Sequence, residues 1–192
     1  MGVKGTLAWR IKAEKINVMI VRAVLIAVAA KLIKIYGDPA VANQEGKNIG
    51  RSMGEFIFTQ YLSGTQKPAK SIEELADPKS AYNLGFKFFT GVTFDKIELK
   101  KNVNDVYITY TIADCPLCRG LVSPSPQVFL CNVMAGIFEW IEEQRLNEWN
   151  AESIKCDEVK CRARGDPVCQ FVFHFRLKEQ EFFGEKESKF FE

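Results

Sequence analysis

The chain has 192 residues and a mass of 21.8 kDa, which is one ordinary domain and too little for two independent cores. Hydrophobic residues make up 47% and charged residues 26%, a balance that excludes disordered and fibrous classes. A net charge of +2 is too small to imply a nucleic-acid partner. Fifteen phenylalanines are more than a plain core needs, and point to a thick aromatic core or to an apolar pocket. Six cysteines fall far short of a disulfide scaffold. The start Met1–Gly5 carries no signal-peptide pattern, so the expected location is cytoplasmic, where cysteines serve more often as ligands, nucleophiles or buried thiols than as bridges.

In chain order, the first strong signal is the apolar stretch Ile16–Ala30, interrupted by Asn17 and Arg22. Its unbroken part, Ala23–Ala30, is well under the roughly 18 residues of a membrane span. It predicts a long amphipathic helix to Ile35. Val18, Val21, Leu25, Val28 and Leu32 form one stripe, and Met19, Ile26 and Ile33 widen it. A face that wide needs two covering surfaces, the chain's own core and a second copy, unless the helix is the central core helix of a monomer. Gly37-Asp38-Pro39 is a turn. Gly46, Gly50 and Gly54 then share one helical face, where they permit close backbone approach. Neither a P-loop nor a dinucleotide loop is present. That helix is expected to run through Phe56, Ile57 and Tyr61 to a loop ending at Ser71. Ser71-Ile-Glu-Glu74 is a capping box for a short helix that stops near Asp77-Pro78.

Ala81–Phe89 still reads as a helix. The stretches 93–99 and Val106–Ile112 are β-branched and aromatic around a turn-rich connector, which predicts a hairpin. Phe129–Leu146 predicts a second strong helix, with the charged run 141–145 as its wet face. Ser153–Arg162 and Val168–Leu177 predict a second hairpin around Arg164-Gly165-Asp166-Pro167. The fold class is therefore α+β: N-terminal helices and an antiparallel sheet made of two hairpins with a helix between them. Residues 1–62 are expected to be a helical dimerisation region. Residues 63–192 are expected to form one compact α+β unit.

The chemistry lies in the cysteines, at 115, 118, 131, 156, 161 and 169. Cys115-Pro-Leu-Cys118 is a C-x-x-C. Cys161 and Cys169 flank the Gly165 turn and lie opposite each other across the last hairpin, about 4.5–5.5 Å apart at Cβ. That separation suits a tetrahedral metal or a cross-strand disulfide. Glu158 offers a carboxylate three residues before Cys161. On a regular strand the two would face opposite ways, so Glu158 joins Cys161 only through a bulge or at the strand end. A lone thiol is usually a small buried hydrophobe, and Cys131 and Cys156 carry that reading too. His174 shares its face with Val172 and Arg176, as a solvated or interface histidine.

Glu158-x-x-Cys161-x-x-x-Gly165-Asp166-Pro167-x-Cys169-x-Phe171 resembles the C-terminal signature of the 4-vinyl-reductase-like domain. That family is similar to the sensory region of phenol-responsive bacterial activators and to Bet3-type tethering subunits. The resemblance covers roughly residues 80–177. It implies a Zn(2+) site of Cys131, Glu158, Cys161 and Cys169, with Cys115 and Cys118 as a further pair that could replace or join the set. Phenol specificity is not implied, because His174, Trp9, Trp140 and Trp149 do not fall on the matching strand.

The resulting expectation is a homodimeric, zinc-containing, sensor-type domain that binds an apolar or aromatic small molecule. Its pocket is expected between Phe86, Phe89, the Tyr107–Ile112 strand (Ile108 and Tyr110 above all) and Ala135. No catalytic constellation and no nicotinamide, flavin or haem motif is visible. Two alternatives stand beside it: a small-molecule reductase that borrows its cofactor, and an adapter subunit of a protein assembly.

Overall fold

The computed structural model describes residues 3–57, 59, 71–78, 86–87 and 90–178, with side chains of the first helix described from Val18 onward. Helix α1, Val3–Tyr36, is followed by α2, Pro39–Ile57. Gly37 between them has a φ of 66°, a left-handed conformation that glycine adopts without steric cost. The Asp38 carboxylate accepts from the Ala40 amide at 2.8 Å. Pro39 takes the first helical position, where no N–H is missed. The expected capping box is formed at α3, Ile72–Leu75, where the Ser71 hydroxyl accepts from the Glu74 amide. The helix expected over Ala81–Phe89 lies outside the described residues except for Phe86 and Lys87, and so does the stretch beyond Thr59 to residue 70.

Four strands follow: β1 (Lys96–Lys101), β2 (Asp105–Ile112), β3 (Ala151–Lys160) and β4 (Cys169–Leu177). They form one antiparallel sheet in the order β1-β2-β4-β3, so the two hairpins meet where β2 pairs with β4. Period-2 alternation decides what each face carries. Ile108, Tyr110 and Ile112 on β2, and Phe171, Phe173 and Phe175 on β4, are all buried. Their neighbours Tyr107, Thr109, Val172 and His174 are half-buried on the other face.

Helix α4, Asn132–Glu143, covers the buried face, and α2 packs on α4. It is shorter at both ends than the Phe129–Leu146 expectation, because Cys131 caps it and tight turns follow Gln144. The glycine face of α2 makes the contact. A Cβ on Gly50 would sit 1.9 Å from the Val133 carbonyl oxygen, and one on Gly136 would sit 2.0 Å from the Lys47 carbonyl oxygen. The two backbones touch with nothing between them, and glycine alone leaves that room.

Such proximity brings α2's cations down onto α4. Lys47 donates to Glu139 at 2.6 Å and to Asp157 of β3 at 2.7 Å, and Arg51 reaches Glu139 and Glu143 at 2.6 and 2.5 Å. Glu139 also accepts from the Cys156 amide at 2.7 Å. Burial by itself would depress the Lys47 ammonium, but hydrogen bonds to Asp157 and Glu139 outweigh it and hold the group above its ordinary range. Breaking such a buried pair from one side costs about 3–5 kcal/mol.

The sequence expectation for residues 141–145 needs correction. Glu142 is 0% exposed and Arg145 5%; this run is not a wet face. α4 is covered on two sides, by the sheet and by α2, and only Glu143 and Gln144 look outward. Arg145 approaches Glu142 at 3.3 Å and lies 4.1 Å over the Trp149 ring, whose Nε1–H donates to Glu142 at 3.0 Å.

Candidate metal centre

Five cysteine side chains and one glutamate converge at the end of the sheet where the two hairpins and the start of α4 meet. Each arrives from a different local device. Cys115 and Cys118 lie on the tight turn after β2, whose Cys118 and Arg119 amides both donate to the Cys115 carbonyl. Cys131 is the residue that caps α4. Cys169 opens β4, paired with Ile112. Cys161 follows β3, and its amide donates to the Asp166 carboxylate at 2.8 Å. Gly165 closes that turn with a φ of 101°, where any other residue would be strained. The Gly-Asp-Pro turn therefore carries the geometry that holds the last two thiols together.

Glu158 reaches the same place by the route the spacing required. The β3–β4 register slips between Glu158 and Lys160, with Val159 as the extra residue. Glu158 and Cys161 are both buried while Val159 and Lys160 between them are exposed. A bulge of this kind turns the strand's side-chain alternation by one residue.

All six groups are buried. The sulfur of Cys118 lies 3.1 Å from that of Cys131 and 3.6 Å from that of Cys161. Two sets of four donors each lie wholly within 4.8 Å: Cys115, Cys118, Cys131 and Cys169, and Cys118, Glu158, Cys161 and Cys169. Thiolates about 2.3 Å from one tetrahedral ion stand about 3.8 Å apart, so the spacing fits direct ligation. Neither carboxylate oxygen of Glu158 has a hydrogen-bond partner. An unsatisfied buried carboxylate is costly, and a cation would satisfy it. The donors present fit zinc: thiolates with one carboxylate.

The electrostatics point the same way. Hydrogen bonding from Cys118, then from Cys131 and Cys169, pulls the Cys115 and Cys161 thiols far below their ordinary value. Cys115 in turn holds Cys118, Cys131 and Cys169 up. Five thiols this close cannot all ionise without a compensating charge. Burial, followed by the charge on Cys161, drives the Glu158 carboxyl well above the usual range. The Arg162 amide donates to the Cys169 sulfur at 3.4 Å. Outside the cage, Asp114 pairs with Arg119 and Arg162, so an ionic strap joins the Cys115 turn to the Cys161 turn.

Cys131, Glu158, Cys161 and Cys169 are thus brought together, and Cys115 and Cys118 stand in the same cage. Cys118, an alternate by sequence, occupies its centre. Cys156 is buried on the same face of β3 but belongs to neither donor set, and burial raises its thiol. His174 lies on the opposite face of the sheet, 2.6 Å from Asp105, with its ring stacked on Tyr107 at 4.5 Å.

Of the expected pocket lining, Phe89 lies outside the described residues. Phe86 stacks on Phe94 at 4.3 Å, Phe94 meets Tyr110 at 4.6 Å, and Tyr110 meets Phe173 at 5.6 Å. Ile108 and Ala135 are fully buried, and the Tyr110 hydroxyl donates to the Leu75 carbonyl at 2.8 Å. These side chains fill one another's space. Glu142 is the buried group that sequence reasoning missed. Its signal was the spacing Phe138, Glu142, Arg145, Trp149, which puts four large groups on one helical side.

The cage and its bulge can now be set beside known proteins. The family model of the 4-vinyl-reductase (V-4-R) domain matches residues 108–175, a span that holds every cysteine of the chain. This segment is a 4-vinyl-reductase-like domain. The signature read from the sequence is thereby borne out. Around that segment, the chain is 26% identical over 168 residues to trafficking protein particle complex subunit 3 of Dictyostelium discoideum, covering 83% of each. A crystal structure of a trafficking protein particle complex subunit 3 from Naegleria fowleri, covalently bound to palmitic acid, matches with a TM-score of 0.63 at 19% identity. It covers 86% of this chain and 99% of that one, and so shares the fold. The phenol-responsive sensory domain of the transcription activator PoxR, with phenol, matches with a TM-score of 0.44 at 16% identity, over 83% of this chain and 76% of that one.

Proposed function

We propose that this chain is a zinc-pinned, homodimeric binding domain that holds an apolar or aromatic small molecule and does no chemistry on it. The observation that carries the metal is the buried cage, above all the unpartnered carboxylate of Glu158 among five thiols. Zinc there ties the Cys115 turn, the start of α4 and the last hairpin into one unit, as a closed structural site does. Its binding energy then becomes folding energy.

The dimer rests on residues 1–62. Met19, Ile20, Val24 and Ile35 of α1 are more than half exposed, and Met53 and Phe56 extend that apolar surface along α2. A single isolated copy leaves these side chains in water, whereas a symmetric pair removes them from it. The small molecule is assigned to the space where Phe86, Ile108, Tyr110 and Ala135 meet. Its entry requires the Phe86–Phe94 stack to part, since the rings close that space here. Held by shape and apolar burial, it gains about 25 cal/mol per Å².

The adapter reading is favoured by the same exposed α1 surface together with the likeness to a trafficking complex subunit. In that case the occupant of α1 is a different chain. No helix of the described residues is long and apolar enough to cross a membrane.

Freshly purified chain tests the set. Elemental analysis is expected to find zinc, light scattering at micromolar concentration a dimer, and thermal shift a response to a panel of phenols and fatty acids. Metal-free protein overturns the zinc reading. A monomer overturns the dimer. Absence of any thermal shift, with a defined protein captured through α1, replaces the small-molecule reading by the adapter. Turnover of a vinyl substrate with an added nicotinamide or flavin would make it a reductase.

A further inference from the structure

The cage holds more donors than one tetrahedral ion can use. Two complete sets of four are present, and they share two members, Cys118 and Cys169. One ion bound by the first set leaves Glu158 and Cys161 outside. One ion bound by the second leaves Cys115 and Cys131 outside. In neither case are all six buried groups satisfied, and a buried carboxylate without a partner is the costliest group to leave.

The position of Cys118 decides how the sets relate. Its sulfur touches Cys131, a donor of the first set alone, at 3.1 Å, and Cys161, a donor of the second set alone, at 3.6 Å. It therefore lies between the two sets rather than at the edge of either. A thiolate sulfur has lone pairs for two metals. Two such sulfurs between two ions give each ion a full tetrahedron at about 2.3 Å per sulfur. Charge supports the count: six ionised donors around one divalent ion leave a large uncompensated negative charge in a buried site, and a second ion halves the excess.

Resting on the zinc reading above, we infer that the cage is a two-metal centre in which Cys118 and Cys169 bridge two zinc ions. Cys115 and Cys131 are the terminal ligands of one ion. Glu158 and Cys161 are the terminal ligands of the other. The amide of Arg162, which donates to Cys169, offsets charge on one bridging sulfur, and the Asp114–Arg119–Arg162 strap closes the centre on its outer side.

The test is metal stoichiometry on the full chain purified without chelators. Two zinc ions per chain are expected. Glu158→Gln or Cys161→Ser should retain one ion, as should Cys115→Ser, whereas Cys118→Ser should lose both. Should the cysteine variants fail to fold, wild-type protein loaded with cadmium-113 answers alone: two NMR resonances that couple to each other through the shared sulfurs are expected. One ion per chain and a single cadmium resonance overturn the two-metal centre while leaving the zinc reading intact. Metal-free protein that takes up no cadmium overturns both.

Discussion

Gly136→Ala separates helix propensity from close packing, because the two effects predict opposite signs. In an isolated helix alanine is better than glycine by about 1 kcal/mol. Here the added Cβ would stand 2.0 Å from the Lys47 carbonyl oxygen and 2.9 Å from the Arg51 nitrogen. Ordinary contact starts near 3.4 Å, so α2 must move away from α4 by about 1.4 Å in a close-packed interior. Overpacking of this kind costs about 1–3 kcal/mol, occasionally more. The shift also stretches the Lys47–Glu139 and Arg51–Glu139 contacts, both 2.6 Å. The net expectation is a loss of about 2–4 kcal/mol, or roughly 5–15 °C in Tm for a chain of this size. Gly46→Ala is the matched control on α2. Its Cβ would meet only Leu32 Cδ1, at 3.9 Å, and a gain of about 0.5–1 kcal/mol is expected. Urea unfolding followed by circular dichroism measures both. If Gly136→Ala is neutral or stabilising, or if both variants lose alike, the close backbone contact is not what holds α2 to α4.

Burial, opposed by Arg145 and Trp149, raises the Glu142 carboxyl to about 7 from an ordinary 4.5. The native state then keeps its proton where the unfolded chain loses it. The stability contributed by this group should therefore fall as pH rises from 4.5 to 7 and level off above. The difference between wild type and Glu142→Gln in urea unfolding isolates it, and a difference independent of pH refutes the raised value. Val24→Glu, on the exposed face of α1, should convert the dimer to monomers with little loss of fold; unchanged mass by light scattering removes α1 from the interface. Ala135→Phe, at a fully buried position facing the rings, should abolish any thermal shift by apolar ligands and leave zinc content unchanged. Retained binding would move the ligand site elsewhere.

Much of this protein was decided by local chemistry that a sequence displays. Alternating β-branched and aromatic residues in Val106–Ile112 and Cys169–Leu177 determined strands with one buried face, because side chains alternate along any strand. Gly37-Asp38-Pro39 and Ser71-Ile-Glu-Glu74 determined a turn and a helix start, because their backbone needs are met within a few residues. The Gly165 turn placed Cys161 against Cys169 for the same reason. The requirement that Glu158 join through a bulge followed from strand geometry alone. Tertiary structure decided the rest. Cys118 moved from the margin to the centre of the cage because the turn after β2 and the cap of α4 come together only when the two hairpins share a sheet. Glu142 and Arg145, charged and therefore assigned to water, are buried because α4 is covered on two faces, and no local pattern reports a second cover. The glycines of α2 were legible as a smooth face, but what that face would touch was not. A glycine records that something comes close, and only the packed fold determines that it is the backbone of α4.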